Sequence, residues 1–526
     1  MSIEKEAGRR RTFAIISHPD AGKTTLTEKL LLYSGAIHLA GSIKSRKAAR
    51  HTVSDWMKLE QERGISVTSS VLQFDYKGRA CNLLDTPGHA DFSEDTYRTL
   101  AAVDSSIMLI DHAKGVESRT LKLFEVCRMR NLPIVTFMNK LDRDGLDPLE
   151  LIDQISSTLN LEVFPMNWPI GMGKNFKGVV DLKTKMVTLY EAEKHGTGVL
   201  ESRTLPLDQA SEFVDERTLE RALEEIELVE GAGDGYTREA FLAGEVSPVF
   251  WGSAMTNFGV DSLLEFMGTQ AASPAARQTE DGVTVPPEDE RFTGFIFKIQ
   301  ANMNPRHRDR IAFLRVVSGQ FERGMDVVIG RSGEKLKLSK PHTFMAQERS
   351  IVENAWPGDI VGLYDPGKLR IGDTVAAGKP LRFGSIPRFA PAHFGELILK
   401  DPLKRKQLDT GLEQLSHEGV IQLFYRPHLG RTNPVLGAVG VLQFEVLQER
   451  LKNEYSVTAI FQSMQFAAAR WVTGPQEAHD WLQERRDYPV YEDRNGNPVL
   501  LASSAWAIQY AVENAPGLEL HDIEPL

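Results

Sequence analysis

Apolar residues in the first half of the chain come in short unbroken blocks: "TFAII" (12–16), "CNLL" (81–84), "PIVTFM" (133–138) and "SPVFW" (247–251). Runs this short, rich in β-branched residues and flanked by turn formers, predict strands buried on both faces, as in a parallel sheet. Between them the period changes. "TTLTEKLLLYSG" (24–35) puts Leu26, Leu30 and Tyr33 on one helical face, with Gly35 following as a C-terminal cap. "LKLFEVCRMR" (121–130) has the same helical spacing. Strand alternating with helix predicts an α/β domain.

A second rhythm follows "AASPAARQTEDGVTVPPEDE" (271–290), which is rich in Pro, Ala and acid, lacks periodicity and reads as a linker. Beyond it, "FTGFIFKIQ", "DRIAFLRVVSG", "MDVVIG" and "DIVGLYD" are short apolar or alternating segments parted by glycine-bearing turns, the mark of a small β-barrel. From about residue 385 the pattern becomes strand–helix–strand. "HFGELILKD", "PLKRKQLDTGLEQLSHEG" and "VIQLFYR" give it once, and "AVGVLQFEVLQERLKNEYSVTAIFQ" (438–462) repeats it, with Leu447 and Leu451 on one helical face.

Composition narrows the class. The chain has 526 residues, 41% of them hydrophobic and 25% charged, too long for one core and without an apolar run able to span a membrane. Its charged start, "MSIEKEAGRRR", has no apolar segment of a secretory signal. The two cysteines, Cys81 and Cys127, sit in apolar and helical patterns, so buried free thiols and a reducing, cytoplasmic setting are expected. A net charge of −11 argues against indiscriminate nucleic-acid binding, although basic residues gather at 298–310, 335–340 and 399–408.

Chemistry enters at "SHPDAGKTT" (17–25), between the first strand and the first helix. It follows the phosphate-loop pattern except that Ser17 replaces the first glycine. Backbone N–H groups across Ser17, His18, Pro19, Asp20, Ala21, Gly22, Lys23, Thr24 and Thr25 (Pro19 excepted) and the positive helix end would cradle phosphates. Lys23 would neutralise the β- and γ-phosphates and Thr24 would ligate Mg²⁺. "DTPGH" then supplies Asp85, Thr86, Pro87, Gly88 and His89, with Asp85 placed for Mg²⁺ and the Gly88 N–H for the γ-phosphate. "NKLD" supplies Asn139, Lys140, Leu141 and Asp142. The Asp142 carboxylate can accept from N1–H and the 2-amino group of guanine, a pair that adenine does not present. Ser253 and Ala254, after the last strand, can donate to guanine O6. The nucleotide read from these residues is GTP or GDP, and a metabolic kinase is disfavoured.

These stretches resemble the GTP-binding domain of translation factors. The resemblance implies that "RGIS" (63–66) is a switch whose Ser66 hydroxyl takes the place of the usual threonine on Mg²⁺, with Thr68 as the alternative. It implies that His89 is the catalytic residue positioning the attacking water, aided by Lys23, behind an apolar gate of Ile65 and Pro19. The segment "FPMNWPIGMGKNFKGVVDL" (164–182) is similar to an insertion of elongation factor G, and the barrel and following segments resemble that factor's next two domains. With "SDWMKLEQERGIS", "LLDTPGHADFSEDTYRTL" and "FMNKLDRDG", the chain as a whole resembles the bacterial class II (release factor 3) family. The expected fold class is multidomain: an α/β P-loop GTPase domain over 1–278 with an insertion at about 160–245, a β-barrel domain over 279–385, and an α/β (α+β sandwich-like) domain over 386–526. The family implies a ribosome-stimulated, monomeric GTPase with GTP/GDP and Mg²⁺. Its partners would be the ribosome and the decoding (class I) release factor, which it helps to dissociate after peptide release. No room is left for elongation factor G's two further domains. Basic residues such as Lys298, Arg306, Arg308 and Arg310 are candidate ribosome contacts, and guanosine tetraphosphate is a candidate competitor at the GTP site.

Asp142→Asn is expected to move preference from guanine towards xanthine nucleotides, because an amide donor suits a 2-oxo group. Competition binding that still favours GTP over xanthosine triphosphate would remove Asp142 from the base site.

Overall fold

A computed structural model describes residues 2–37, 69–190, 202–232, 235–301, 310–339, 341–345, 348–384, 386, 388–427 and 429–525. Ile65, Ser66, Thr68, Arg306 and Arg308 fall outside them. The first domain is built on β1 (Arg10–Ser17), β2 (Ser70–Tyr76), β3 (Arg79–Asp85), β4 (Ser105–Asp111), β5 (Ile134–Asn139) and β6 (Glu162–Pro165). After these come β7 (Asn167–Ile170), β8 (Gly178–Asp181), β9 (Met186–Tyr190), β10 (Ser202–Pro206) and β11 (Val246–Trp251). The main sheet runs β2-β3-β1-β4-β5-β11-β6, parallel apart from β2.

Alternation along the strands explains the burial. Phe13, Ile15, Ile107, Leu109, Val135 and Phe137 point to one face, where the helices Lys23–Tyr33 and Val260–Thr269 cover them. Ala14, Ile16, Met108, Ile110 and Met138 point to the other, under the helices Ser118–Met129 and Pro148–Leu159. Each such side chain contributes roughly 1.5–3 kcal/mol on full burial, which is why these strands read as unbroken apolar runs. Cys81 and Cys127 are buried free thiols, and burial pushes both up to about 12. Among the described residues no helix is long and apolar enough to cross a membrane.

Strands β7–β10 form a separate antiparallel sheet, and the helix Glu216–Ala232 packs on it through Leu219, Ala222 and Ile226. Trp168 Nε1 donates to Glu225 Oε2 at 2.9 Å. Glu220, Glu224 and Glu227 lie on the exposed face of this helix. In the second domain, Thr293–Ala301, Arg310–Ser318 and Ile360–Tyr364 are adjacent antiparallel strands, and Gly319 (φ +69°) and Gly324 (φ +81°) make the turns between strands. The third domain is one eight-stranded sheet. Its first part carries the helices Arg405–His417 and Leu442–Tyr455, and its second part, Ala468–Thr473 to Glu519–His521, carries Gln476–Gln483 and Ala505–Asn514.

Two of the basic residues expected on a ribosome-facing surface are structural instead. Lys298 is buried, its ammonium on the Ser69 carbonyl and 3.7 Å from Asp95. Arg310 pairs with Asp365 at 2.8 Å and donates to the Leu369 carbonyl. Paired in this way, these charges have little left for an external anion.

One turn of the barrel makes a dense contact with the first domain. The Gly358 carbonyl accepts from Thr12 Oγ1 (2.7 Å), Asn82 Nδ2 (3.3 Å) and Arg315 Nη1 (2.6 Å). Beside it Arg10 pairs with Asp359 at 3.1 Å, and Arg315 holds both oxygens of Asp104. Gly358 has φ +103°, and a Cβ there would lie 2.7 Å from both Arg10 Cβ and Pro274 Cγ. Gly358→Ala is therefore expected to lower stability by about 2–4 kcal/mol, read as a shift in urea midpoint. Gly378 has φ +79° with open space around it, so Gly378→Ala should cost only about 1 kcal/mol. Equal losses would discount the interdomain contact.

Candidate nucleotide site

The motif residues gather at the carboxyl ends of β1, β3, β5 and β11, where the sheet order turns back around β1. Between Ser17 and the helix at Lys23 the chain makes a tight loop, with Asp20 at φ +65°, Gly22 at φ +100° and the Ala21 N–H on the His18 carbonyl. Gly22 is the N-cap of that helix and has no side chain to occupy its first-turn N–H groups, which leaves them for an anion. A Cβ at Gly22 would sit 2.4 Å from Asn139 Nδ2, so only glycine fits. The Ser17 hydroxyl is buried with no hydrogen-bond partner among the described residues. His18 turns aside, its Nε2 3.2 Å from Glu117 Oε1.

Asn139 ties this loop to the base side. Its Nδ2 donates to the Ala21 carbonyl at 2.7 Å, and its Oδ1 accepts from the Ala254 N–H at 2.8 Å. Lys140, at φ +74°, donates to the Asp20 carbonyl (2.5 Å) and to Asp111 Oδ2 (2.7 Å). Burial raises the Asp111 carboxyl, but hydrogen bonds from Lys140 and the Ala113 N–H, with the Lys140 charge, bring it below its ordinary range. Leu141 is buried and donates its N–H to the Gly252 carbonyl, while the Ser253 hydroxyl donates to Asp142 Oδ1 at 2.6 Å.

For the expected donation to guanine O6, the two amides of Ser253 and Ala254 are placed differently. The Ser253 N–H is on the Phe258 carbonyl and the Ala254 N–H on Asn139, so only a shared bond from Ala254 could reach the base. Tyr190 of the inserted sheet stacks on Phe258 at 4.6 Å and accepts from the Gly259 N–H at 2.9 Å, which braces this loop. That gives the insertion a structural task. Asp111, Glu117, Tyr190 and the Ser253 hydroxyl were missed as supporting groups; the only signal was Asp111 ending an apolar strand.

On the phosphate side, Lys23 and Asp85 are buried and in contact, ammonium to Oδ1. Thr86 spends its hydroxyl on the Ile15 carbonyl (2.6 Å), and the Pro87 carbonyl accepts from Thr96, so both shape the turn and offer no free side-chain group. Gly88 faces Pro19, whose Cα would be 3.6 Å from a Cβ at that position. His89 is partly exposed; its Nδ1 accepts from the Asp91 N–H at 3.2 Å. Thr24 and Thr25 open the helix and are half-buried.

A triphosphate and Mg²⁺ fit these residues. The glycine cradle admits phosphate where a Cβ would not. Thr24 and Asp85 offer the hard oxygen donors that Mg²⁺ takes, the rest of its shell coming from phosphate and water. Among the described residues no cluster of His, Cys, Asp or Glu could hold a metal without such help.

Comparison with known proteins agrees over the whole length. Residues 8–273 match the family model of the elongation factor Tu GTP binding domain, 291–378 that of elongation factor G domain 2, and 383–512 that of the class II release factor RF3, C-terminal domain. The chain is 54% identical over 523 residues to a peptide chain release factor 3 of Symbiobacterium thermophilum, covering 98% of each. To one from Staphylococcus aureus it is 49% identical over 524 residues, covering 99% of this chain and 100% of that one. A crystal structure of a Thermus thermophilus protein shares the fold, with a TM-score of 0.69 at 23% identity over 92% of this chain and 72% of that one.

Asn139→Ala would leave the Ala21 carbonyl and Ala254 N–H without their partner, a loss of roughly 2–4 kcal/mol, or about 30- to 1000-fold in GDP affinity. Equilibrium titration with a fluorescent GDP checks this. Affinity within about threefold of wild type would mean that the clamp does not shape the site.

Proposed function

The chain belongs to the peptide chain release factor 3 family, a GTPase of translation termination, and from that premise we propose that it acts on the ribosome after peptide release to dissociate the decoding class I release factor. With GTP bound, Gly88 takes a γ-phosphate oxygen through its N–H, and the third domain is held in the orientation that competes with the decoding factor. Hydrolysis releases that hold.

The observation that carries this reading is a direct link from the hydrolytic turn to the third domain. Asp91, two residues after His89, accepts the Leu442 N–H on Oδ2 at 2.8 Å, at the start of the helix Leu442–Tyr455. Phe92 packs on Val446, and Arg98 donates to the Glu418 and Gly419 carbonyls. A Cβ at Gly440 would fall 2.0 Å from Asp91 Cγ. A change at residues 88–91 therefore reaches the third domain without passing through the barrel.

For the chemistry, Lys23 moves its ammonium from Asp85 to the β,γ-phosphate oxygens. Thr24, Asp85 and Ser66 or Thr68 would hold Mg²⁺, which supplies charge neutralisation on those oxygens when bound. His89 orients the water for in-line attack on the γ-phosphate. In this structure its ring is held by the Asp91 N–H, so it must be released by docking before it can act. Hydrolysis alone is slow in this reading, and the ribosome accelerates it by about 10³–10⁵. Cytoplasmic action as a monomer, and competition by guanosine tetraphosphate for the pocket that recognises GDP, belong to the same proposal.

The test is GTP turnover alone and with ribosomes carrying a stop codon and a bound class I factor, together with the rate of that factor's departure. Wild type should be stimulated and should speed departure, whereas His89→Ala should bind GTP nearly normally and lose most of the stimulated rate. Stimulated turnover with no effect on departure would leave a ribosomal GTPase without the proposed termination role, and normal hydrolysis by His89→Ala would remove the histidine from catalysis.

A further inference from the structure

A large cleft lies at the other end of the first domain from the nucleotide loop. Its volume is about 900 Å³, and it is walled by residues 101–104 and 129–133 of the first domain, the linker at 272–278, and Phe295, Arg315 and Val317 of the barrel. Its floor lies at the amino ends of β4 and β5, whereas the phosphate loop lies at the carboxyl ends of the same sheet.

Three guanidiniums meet in this cleft. Arg315 is neutralised, since it holds both oxygens of Asp104 at 2.9 and 2.7 Å. The other two are not. Arg130 Nη2 and Arg277 Nη1 each donate to one acceptor, the Ala101 carbonyl, at 3.2 Å. Two cations thus converge on a single neutral oxygen, and among the described residues neither has a carboxylate at salt-bridge distance. Arg277 is fixed in place by the Phe295 ring, 3.8 Å from its guanidinium carbon, with Phe383 at 5.7 Å. Arg130 Nε is buried with no hydrogen-bond partner among the described residues. Burial, then Arg130 and Arg315, lower Arg277 to about 9, with Asp104 opposing, and burial lowers Arg130 as well.

Like charges sharing one neutral acceptor are costly unless an anion joins them, and a planar donor fork suits phosphate. We propose that the cleft binds a phosphate-bearing small anion, with Arg130 and Arg277 as its charge partners. The space exceeds what one phosphate needs, and half the wall is apolar, including Leu132, Pro133, Pro274 and Val317. A group of diphosphate or nucleotide size fits. A ligand here would touch the first domain, the linker and the barrel together, and so would brace their relative position.

The full-length protein is first saturated with GDP and Mg²⁺, so that the phosphate loop is filled. Inorganic diphosphate, and separately adenosine diphosphate, which Asp142 disfavours at the guanine site, are then titrated in calorimetry at low salt. Saturable binding of one equivalent, weakened at least about tenfold in Arg130→Gln and in Arg277→Gln, is the expected result. Tighter binding of adenosine diphosphate than of diphosphate would identify a nucleotide as the ligand, and equal binding would identify the phosphates alone. Because Arg277→Gln loses its aromatic packing, both variants are checked for an unchanged melting curve, and Arg130→Gln decides if Arg277→Gln melts early. No saturable binding by wild type, or binding that Arg130→Gln leaves intact, would overturn the proposal.

Discussion

One side-chain amide holds the two halves of the nucleotide site at a fixed separation. Asn139 donates to the phosphate loop at Ala21 and accepts from the last loop at Ala254, so loops contributed by β1 and β11 are spaced by one rigid group at the end of β5. The constraint reaches the backbone, because Gly22 must lack a Cβ to pass the amide. Lys140 adds a second tie, from Asp20 to Asp111. A site that distinguishes guanine and also grips phosphates needs this distance set before ligand arrives, since every ångström of slack would be ordered at the expense of binding energy.

Around that clamp the contacts of the other two domains differ in character. The barrel turn at Gly358 is a buried knot of donors on one carbonyl, flanked by two charged pairs, and such a contact behaves as a hinge post. The third domain instead meets the first along residues 91–98, where Asp91 takes the first N–H of a helix, Phe92 packs on Val446 and Arg98 donates to the Glu418 and Gly419 carbonyls. An acceptor at a helix N-terminus is a modest interaction that a small backbone shift can break.

Much of this was legible in the linear chain. The β1, β3, β5 and β11 segments read directly because strands buried on both faces must be apolar throughout, and the glycine-rich turns read because few residues tolerate their backbone angles. The two strand–helix–strand passages of the third domain were visible because their helices carry an apolar face, Leu408, Leu412 and Leu415 in one and Leu447 and Leu451 in the other. Its second half was not, since its helices bury only Ala478 and Leu482 in one and Ala507 and Ala511 in the other, too few apolar positions to mark a face. Lys298 and Arg310 misled, because a charge run looks the same whether it faces water or a buried carboxylate.

The sequence by itself determined the nucleotide class, the order of domains and the residue types at each motif, because those follow from local chemistry: a fork of N–H groups, a carboxylate for a base edge, an apolar period. Only the tertiary structure decided the division of labour among them. It turned Thr86 and Asn139 into braces, occupied the Ser253 and Ala254 amides within the protein, set Tyr190 of the insertion against the base loop and brought Arg130 and Arg277 onto one carbonyl. The physical reason is that hydrogen bonds and charge pairs between residues far apart in the chain depend on packing geometry, and no spacing along the sequence encodes a distance across a fold.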